Sequence, residues 1–309
     1  PAVLLNSTYS DNIGPFAIPG CGWCGGNHKY RERTARTARS EGYTLLADGN
    51  RIEGDTTLWA NRVTVEAENV ILDPTRPYRN AAGGEELRDT LCRESVTYTV
   101  RRNNIEVAAS HRFCNAAPVT IAIYYGMQSM FEGETHVLTP GGAYTDWTEV
   151  AKASTFTKQE HPLFRRYVEK NRQGYWLLPD GLGDHALLDG QDDIFIYAPY
   201  GKSYHKLIGN KRIKNGDKTC WRGVYTWFET PIADDADLLC YEGSAGGHTA
   251  VFIDCKRACK RTLALPGYLD LRHFGTAEQN GGIRISAAGR NKLKIKAGAP
   301  GSCVLLLRE

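Results

Sequence analysis

Extended segments recur from one end of this chain to the other, separated by Gly, Asn and Asp turns, and helical periodicity is almost absent. Tyr43 to Ala47 runs into Asp48-Gly49, a dipeptide suited to the two positive φ angles of a type I′ hairpin, and a second extended stretch follows from Thr57 to Leu72. Val96 to Val100 and Ile105 to Phe113 flank Arg101 to Asn104 as another hairpin, with Val119 to Tyr125 as the next strand. Strand signals continue at Ile194 to Ala198, Trp221 to Phe228, His248 to Asp254, Ile283 to Ala287, Leu293 to Lys296 and Cys303 to Leu307. The one helix expected is short, from about Pro162 to Lys170, with proline tolerated in its first turn. Many strands joined by tight turns predict an all-β antiparallel sandwich rather than alternating βαβ units. No repeat and no low-complexity linker interrupts the pattern, so residues 1–309 read as a single β-sandwich domain, a size that all-β folds reach as one unit.

Composition removes several classes of function. Hydrophobic residues make up 41% and charged residues 24%, ordinary globular usage, and no apolar run approaches a membrane span. A formal net charge of +3 is too mild to predict a nucleic-acid partner. There is no P-loop and no dinucleotide fingerprint, so no cofactor is expected. Gly243-Ser244-Ala245-Gly246-Gly247 misses the Gly-x-Ser-x-Gly nucleophile elbow by one place. What remains is acid and base chemistry on a sugar, or binding alone.

Nine cysteines leave at least one unpaired within the chain. Cys21-Gly-Trp-Cys24 and Cys255-Lys-Arg-Ala-Cys259 have spacings that could supply zinc ligands, but the two pairs lie at opposite ends of the sequence, and buried thiols with one or two disulfides are the expectation. Asp180-Gly-Leu-Gly-Asp184-His185, continuing to Asp189, Asp192 and Asp193, offers oxygen ligands for calcium without matching an EF-hand loop. Solvated turn residues are the simpler account, and no metal site is assigned.

Chemistry is densest near the start, where Gly25-Gly26-Asn27-His28-Lys29-Tyr30 is followed by Arg33 and Arg36. Paired glycines let backbone approach a ligand, His and Tyr transfer protons, and Asn and Arg hold a hydroxyl or carboxylate. Strand alternation supplies a second set. From Ile105, the positions Val107, Ala109, His111 and Phe113 share the apolar face, leaving Glu106 and Arg112 on the open one. In the next strand Val119, Ile121, Ile123 and Tyr125 are expected inward, with Thr120, Tyr124 and, past Gly126, Gln128 outward. Trp23, Tyr124 and Trp147 are candidate stacking platforms, and Gly141-Gly-Ala-Tyr144-Thr-Asp146-Trp147 reads either as a sugar-binding loop or as a turn anchored by a buried Trp. Asp184-His185 could add a carboxylate and an imidazole. Lys292, Lys294 and Lys296 alternate with Leu293 and Ile295 as a solvated or edge-protecting face.

Asn27-His28-Lys29-Tyr30 resembles the Asn-His-x-Tyr segment of galactose-mutarotase-like proteins, whose fold is an antiparallel β super-sandwich. The resemblance implies a carbohydrate ligand, since related domains occur in aldose epimerases, polysaccharide lyases and other glycan-processing enzymes, and it makes His28 a proton donor to a sugar oxygen. The arginine and histidine that mutarotases carry upstream have no counterpart among the first 26 residues, and Glu229 and Glu242 are candidates for the later catalytic glutamate.

The expectation is therefore a carbohydrate-active enzyme acting on an extracellular or periplasmic polysaccharide, with lyase chemistry preferred over glycoside hydrolysis. Its catalytic residues would be Asn27, His28 and Tyr30. Its substrate contacts would come from Trp23, Arg33, Arg36, Arg112, Tyr124, Gln128, Asp146, Trp147 and His185. Aldose epimerisation and a non-catalytic carbohydrate-binding module are the alternatives.

Overall fold

The computed structural model describes residues 15–33, 35–130, 135–138, 144–146, 155–157, 165–168, 173–177, 193–198, 202–228, 230–279 and 282–307. Among these residues the chain is all β, with only a single 3₁₀ turn at Tyr30–Glu32, and every strand pair is antiparallel. Arg165–Val168, inside the expected helix, is instead a strand paired with Gln173–Leu177.

A ten-stranded sheet and a six-stranded sheet form a sandwich. The first is centred on Val63–Leu72, Thr90–Arg101, Asn104–Phe113 and Lys218–Trp227; the second is built around Val119–Met130, Lys202–Ile213 and Phe16–Ile18. Both hairpins anticipated from the turn residues form. Asp48 and Gly49 take φ values of 49° and 87° between Ala38–Ala47 and Asn50–Arg51, and Arg102 takes φ 45° between Thr90–Arg101 and Asn104–Phe113. Inward residues of the two sheets, including Phe16, Val107, Phe113, Ile121, Leu207 and Trp221, pack into one core.

Beyond Trp227 a five-stranded sheet containing Leu238–Ala245, His248–Cys255 and Gly301–Leu307 is covered on both faces. Leu238, Cys240 and Val251 face a three-stranded sheet centred on Lys292–Ala297, while Leu239, Tyr241 and Phe252 pack with Val224 and Phe228 of the large sandwich. Double coverage explains why these strands are continuously apolar rather than alternating. Lys292, Lys294 and Lys296 are exposed, as alternation predicts, although their strand lies at the centre of its sheet and protects no edge. The buried Asn104 joins the two halves: its Nδ2 donates to the Ser244 carbonyl at 2.7 Å, and its Oδ1 accepts from Thr226 Oγ1 at 2.7 Å.

All nine cysteines are thiols, in place of the one or two disulfides expected. Cys24 belongs to the core of the large sandwich, whereas Cys255 and Cys259 belong to the C-terminal core with their sulfurs 3.8 Å apart. Among the described residues no helix is long and apolar enough to cross a membrane.

Candidate functional site

The glycine-led segment is folded into a rigid loop by its own backbone. Gly25 and Gly26 take φ values of 104° and 53°, which L side chains rarely adopt. The His28 N–H donates to the Gly25 carbonyl at 3.1 Å, and the fully buried Thr37 ties the return strand to it. Thr37 Oγ1 accepts from the Gly25 N–H at 3.0 Å and donates to the His28 carbonyl at 2.6 Å. A bridge between Lys29 and Arg36 closes the loop and sets a lysine and an arginine side by side.

This loop borders a cavity of about 550 Å³ lined by Asn27, His28, Lys29, Arg36, Arg39, Ser40, Asn69 and Glu94. Glu94 lies on the core-facing side of Thr90–Arg101, between the inward Cys92 and Val96, so its carboxylate forms part of the floor. Asn69 Nδ2 donates to Glu94 Oε1 at 3.0 Å, and His111 Nε2 donates to Oε2 at 2.8 Å. His111 is buried, in edge contact with Phe16 and Tyr124, and its Nδ1 has no partner. The core-directed histidine read from strand parity is therefore the support of a carboxylate that sequence reasoning overlooked. The available signal was a glutamate at an inward position between Cys92 and Val96, since a carboxylate is rarely buried unless paired.

Burial pushes the Glu94 carboxyl up, but the hydrogen bond and charge of His111 and the Asn69 amide pull it down, leaving it below the usual carboxylate value. A depressed folded value stabilises the protein above the unfolded value of about 4.3, and that contribution is lost as pH falls through the folded one. Urea unfolding at stepped pH should show wild type more stable than Glu94→Gln at pH 6, with the gap narrowing below about pH 4.3. A gap that stays constant down to pH 3 would refute the linkage.

The other expected site residues separate. Trp23 stands beside the cavity with its ring 6.3 Å from that of His28 and stacked on Tyr125 at 5.5 Å. Tyr30 turns the other way: it is 2% exposed, packs with Val70, Leu72 and Leu87, and carries the Arg31 guanidinium over its ring. Arg33 is exposed and does not line the cavity. Arg112 is exposed on the opposite face of the sheet from Glu94, since it neighbours His111 in sequence and pairs with Arg93.

Tyr124 corrects the outward expectation, being 0% exposed. Along Val119–Met130 the inward set passes from Val119 and Ile121 to Tyr124 and Gly126, and the pairing with Lys202–Ile213 shifts register just after Tyr124. Gln128 continues that strand opposite Tyr204, with its side chain outside the described residues. Asp146 ends the strand Tyr144–Asp146, its side chain likewise outside them, as are Trp147, Asp184, His185 and Glu229 altogether. Glu106 is engaged structurally, with Arg222 at 3.0 Å and the Gly246 N–H at 2.9 Å.

No protein-family model matches the chain, and no curated protein matches it. Among solved structures, the galactosidase domain of the α-galactosidase–sucrose kinase AgaSK matches with a TM-score of 0.37 and 12% identity, over 73% of this chain and 31% of that one. The GH36 α-galactosidases AgaA and AgaB from Geobacillus stearothermophilus each match with a TM-score of 0.36, at 10% and 9% identity, over 72% of this chain and 30% of theirs. The chain thus spans less than a third of the length of these structures. At that distance the likeness assigns neither ligand nor chemistry.

Proposed function

We propose that the cavity beside the Gly25–Arg36 loop binds a uronate-containing polysaccharide and cleaves it by elimination. The observation that carries this reading is the gathering of His28 with Lys29, Arg36 and Asn27 around one cavity in which, among the described residues, Glu94 is the one carboxylate. Neither Lys29 nor Arg36 has an ion-pair partner among those residues, so both are available to an anionic sugar. Hydrolysis is less well served, because it ordinarily needs two carboxyl groups across the scissile bond, and among the described residues the cavity lining holds one.

In this reading Lys29 and Arg36 neutralise the uronate carboxylate and stabilise the charge that develops on it as the neighbouring proton leaves. The His28 imidazole takes that proton from C5; the C5–H electrons form the C4–C5 double bond, and the bond from C4 to the leaving oxygen breaks. The departing oxygen then receives the proton from the imidazolium, so one residue serves as base and acid. Asn27 orients the carboxylate, Trp23 offers a ring face beside His28, and Glu94 accepts from a sugar hydroxyl. Tyr30, buried away from the cavity, has no step. A polymeric substrate of this kind is met outside the cytoplasm, and we assign the protein an extracellular or periplasmic place.

Incubation with a panel of uronate and neutral polysaccharides, read by both unsaturated-product absorbance and reducing ends, tests the reading. Absorbance with a uronate polymer is the expected result. Reducing ends without absorbance would replace elimination by hydrolysis, and binding without either product would leave a carbohydrate-binding module.

A further inference from the structure

A second ligand-sized feature lies away from His28, where the tips of the large-sheet hairpins meet the C-terminal sheet. Two adjoining hollows of about 530 and 410 Å³ share Arg102, Glu242 and Thr249 and so form one trough. One end is walled by Asp48 and Asn61, the other by Tyr268 and Asp270. We propose that this trough is a binding site for a neutral oligosaccharide, with Tyr268 as its stacking platform and the Arg102–Glu242 pair as its hydroxyl-reading centre.

Four observations carry the assignment. Tyr268 is 70% exposed, yet its hydroxyl donates to Glu242 Oε2 at 2.6 Å, which holds an uncovered aromatic face at a fixed angle over the trough. The same Glu242 meets the Arg102 guanidinium at 3.5 Å, so a carboxylate acceptor and a cationic donor stand side by side, an arrangement that matches vicinal hydroxyls able to donate and accept at once. The lining charges also nearly cancel, with the guanidiniums of Arg62, Arg101, Arg102 and Arg272 set among the carboxylates of Asp48, Glu242 and Asp270. With Arg102 paired to Glu242 and Arg272 to Asp270, an uncharged sugar meets paired donors and acceptors along the trough. At the far end the fully exposed Trp59 immediately precedes Ala60 and Asn61 of the trough wall. An indole left wholly in water gains burial as soon as a ring covers it.

The walls are held together before any ligand arrives. Arg101 Nη1 donates to the Gly247 carbonyl at 2.9 Å, and Asn103 Nδ2 reaches the Glu242 carbonyl at 3.2 Å. The site shares none of the lining residues of the His28 cavity and does not depend on the chemistry assigned there.

Native affinity electrophoresis in gels containing xyloglucan, mannan or mixed-linkage β-glucan tests the proposal with the full chain. At least one of these polymers should retard the wild-type protein. Tyr268→Ala should weaken that retardation about tenfold, the effect expected of one lost stacking contact. Tyr268→Phe should keep most of it, and His28→Ala should keep all of it. Tyr268 is largely exposed, so its alanine variant is expected to melt like wild type, and Trp59→Ala supplies an independent variant expected to weaken binding. Retardation by none of the three neutral polymers would overturn the proposal. So would undiminished retardation of both alanine variants, or retardation abolished by His28→Ala, which would place the neutral glycan in the other cavity.

Discussion

His28→Ala should lower turnover on a uronate polysaccharide by about 10²- to 10⁴-fold, the range seen when a positioned general acid or base is removed. Folding should be untouched, because the loop is held by the backbone groups of Gly25 and His28 and by Thr37 Oγ1, none of which belongs to the imidazole. The same fall in kcat with little change in KM would mark His28 as acting in the chemical step rather than in uniform binding. Arg36→Ala, by contrast, should raise KM as well as lower kcat, since a guanidinium that meets the carboxylate contributes before and during proton removal. Full turnover by a stably folded His28→Ala variant would remove the imidazole from the mechanism and make it a structural loop residue.

Tyr124→Ala should cost about 3–5 kcal/mol of stability, the usual range for deleting a large aromatic from a core. The ring stacks on Phe16 at 4.4 Å between centroids, lies in edge contact with His111, and accepts a hydrogen bond at its hydroxyl from Trp221 Nε1 at 3.2 Å. Tyr124→Phe keeps the ring and should cost about 1–3 kcal/mol, because the buried indole N–H loses its acceptor. Chemical denaturation of both variants checks the ordering. Read as an outward sugar platform, the same residue would have shown weakened binding at unchanged stability; that pattern would place Tyr124 on the surface after all. Loss of Tyr124 also removes one wall of the pocket holding His111, so Glu94 should become less firmly placed, a reason for the core variant to lose activity without touching substrate.

Local chemistry in the sequence determined the antiparallel β character, the turns at Asp48-Gly49 and Arg102, the inward face of Asn104–Phe113 and the loop that presents Asn27 and His28. Each of these depends on φ preferences or on the two-residue period of a strand, which act over a few neighbouring residues and are written in their order. The tertiary structure decided the rest. Tyr124 turned inward because Phe16, His111 and Trp221, which only the tertiary structure gathers around it, receive its ring and its hydroxyl, a set of partners that alternation within Val119–Met130 cannot register. Tyr30 left the cluster it belongs to in sequence because Val70, Leu72 and Leu87 offered its ring a buried surface. Glu94 joined His28 although 65 residues separate them in the chain, since a carboxylate can occupy a sandwich interior only where distant Asn69 and His111 bring the hydrogen bonds that water would otherwise supply.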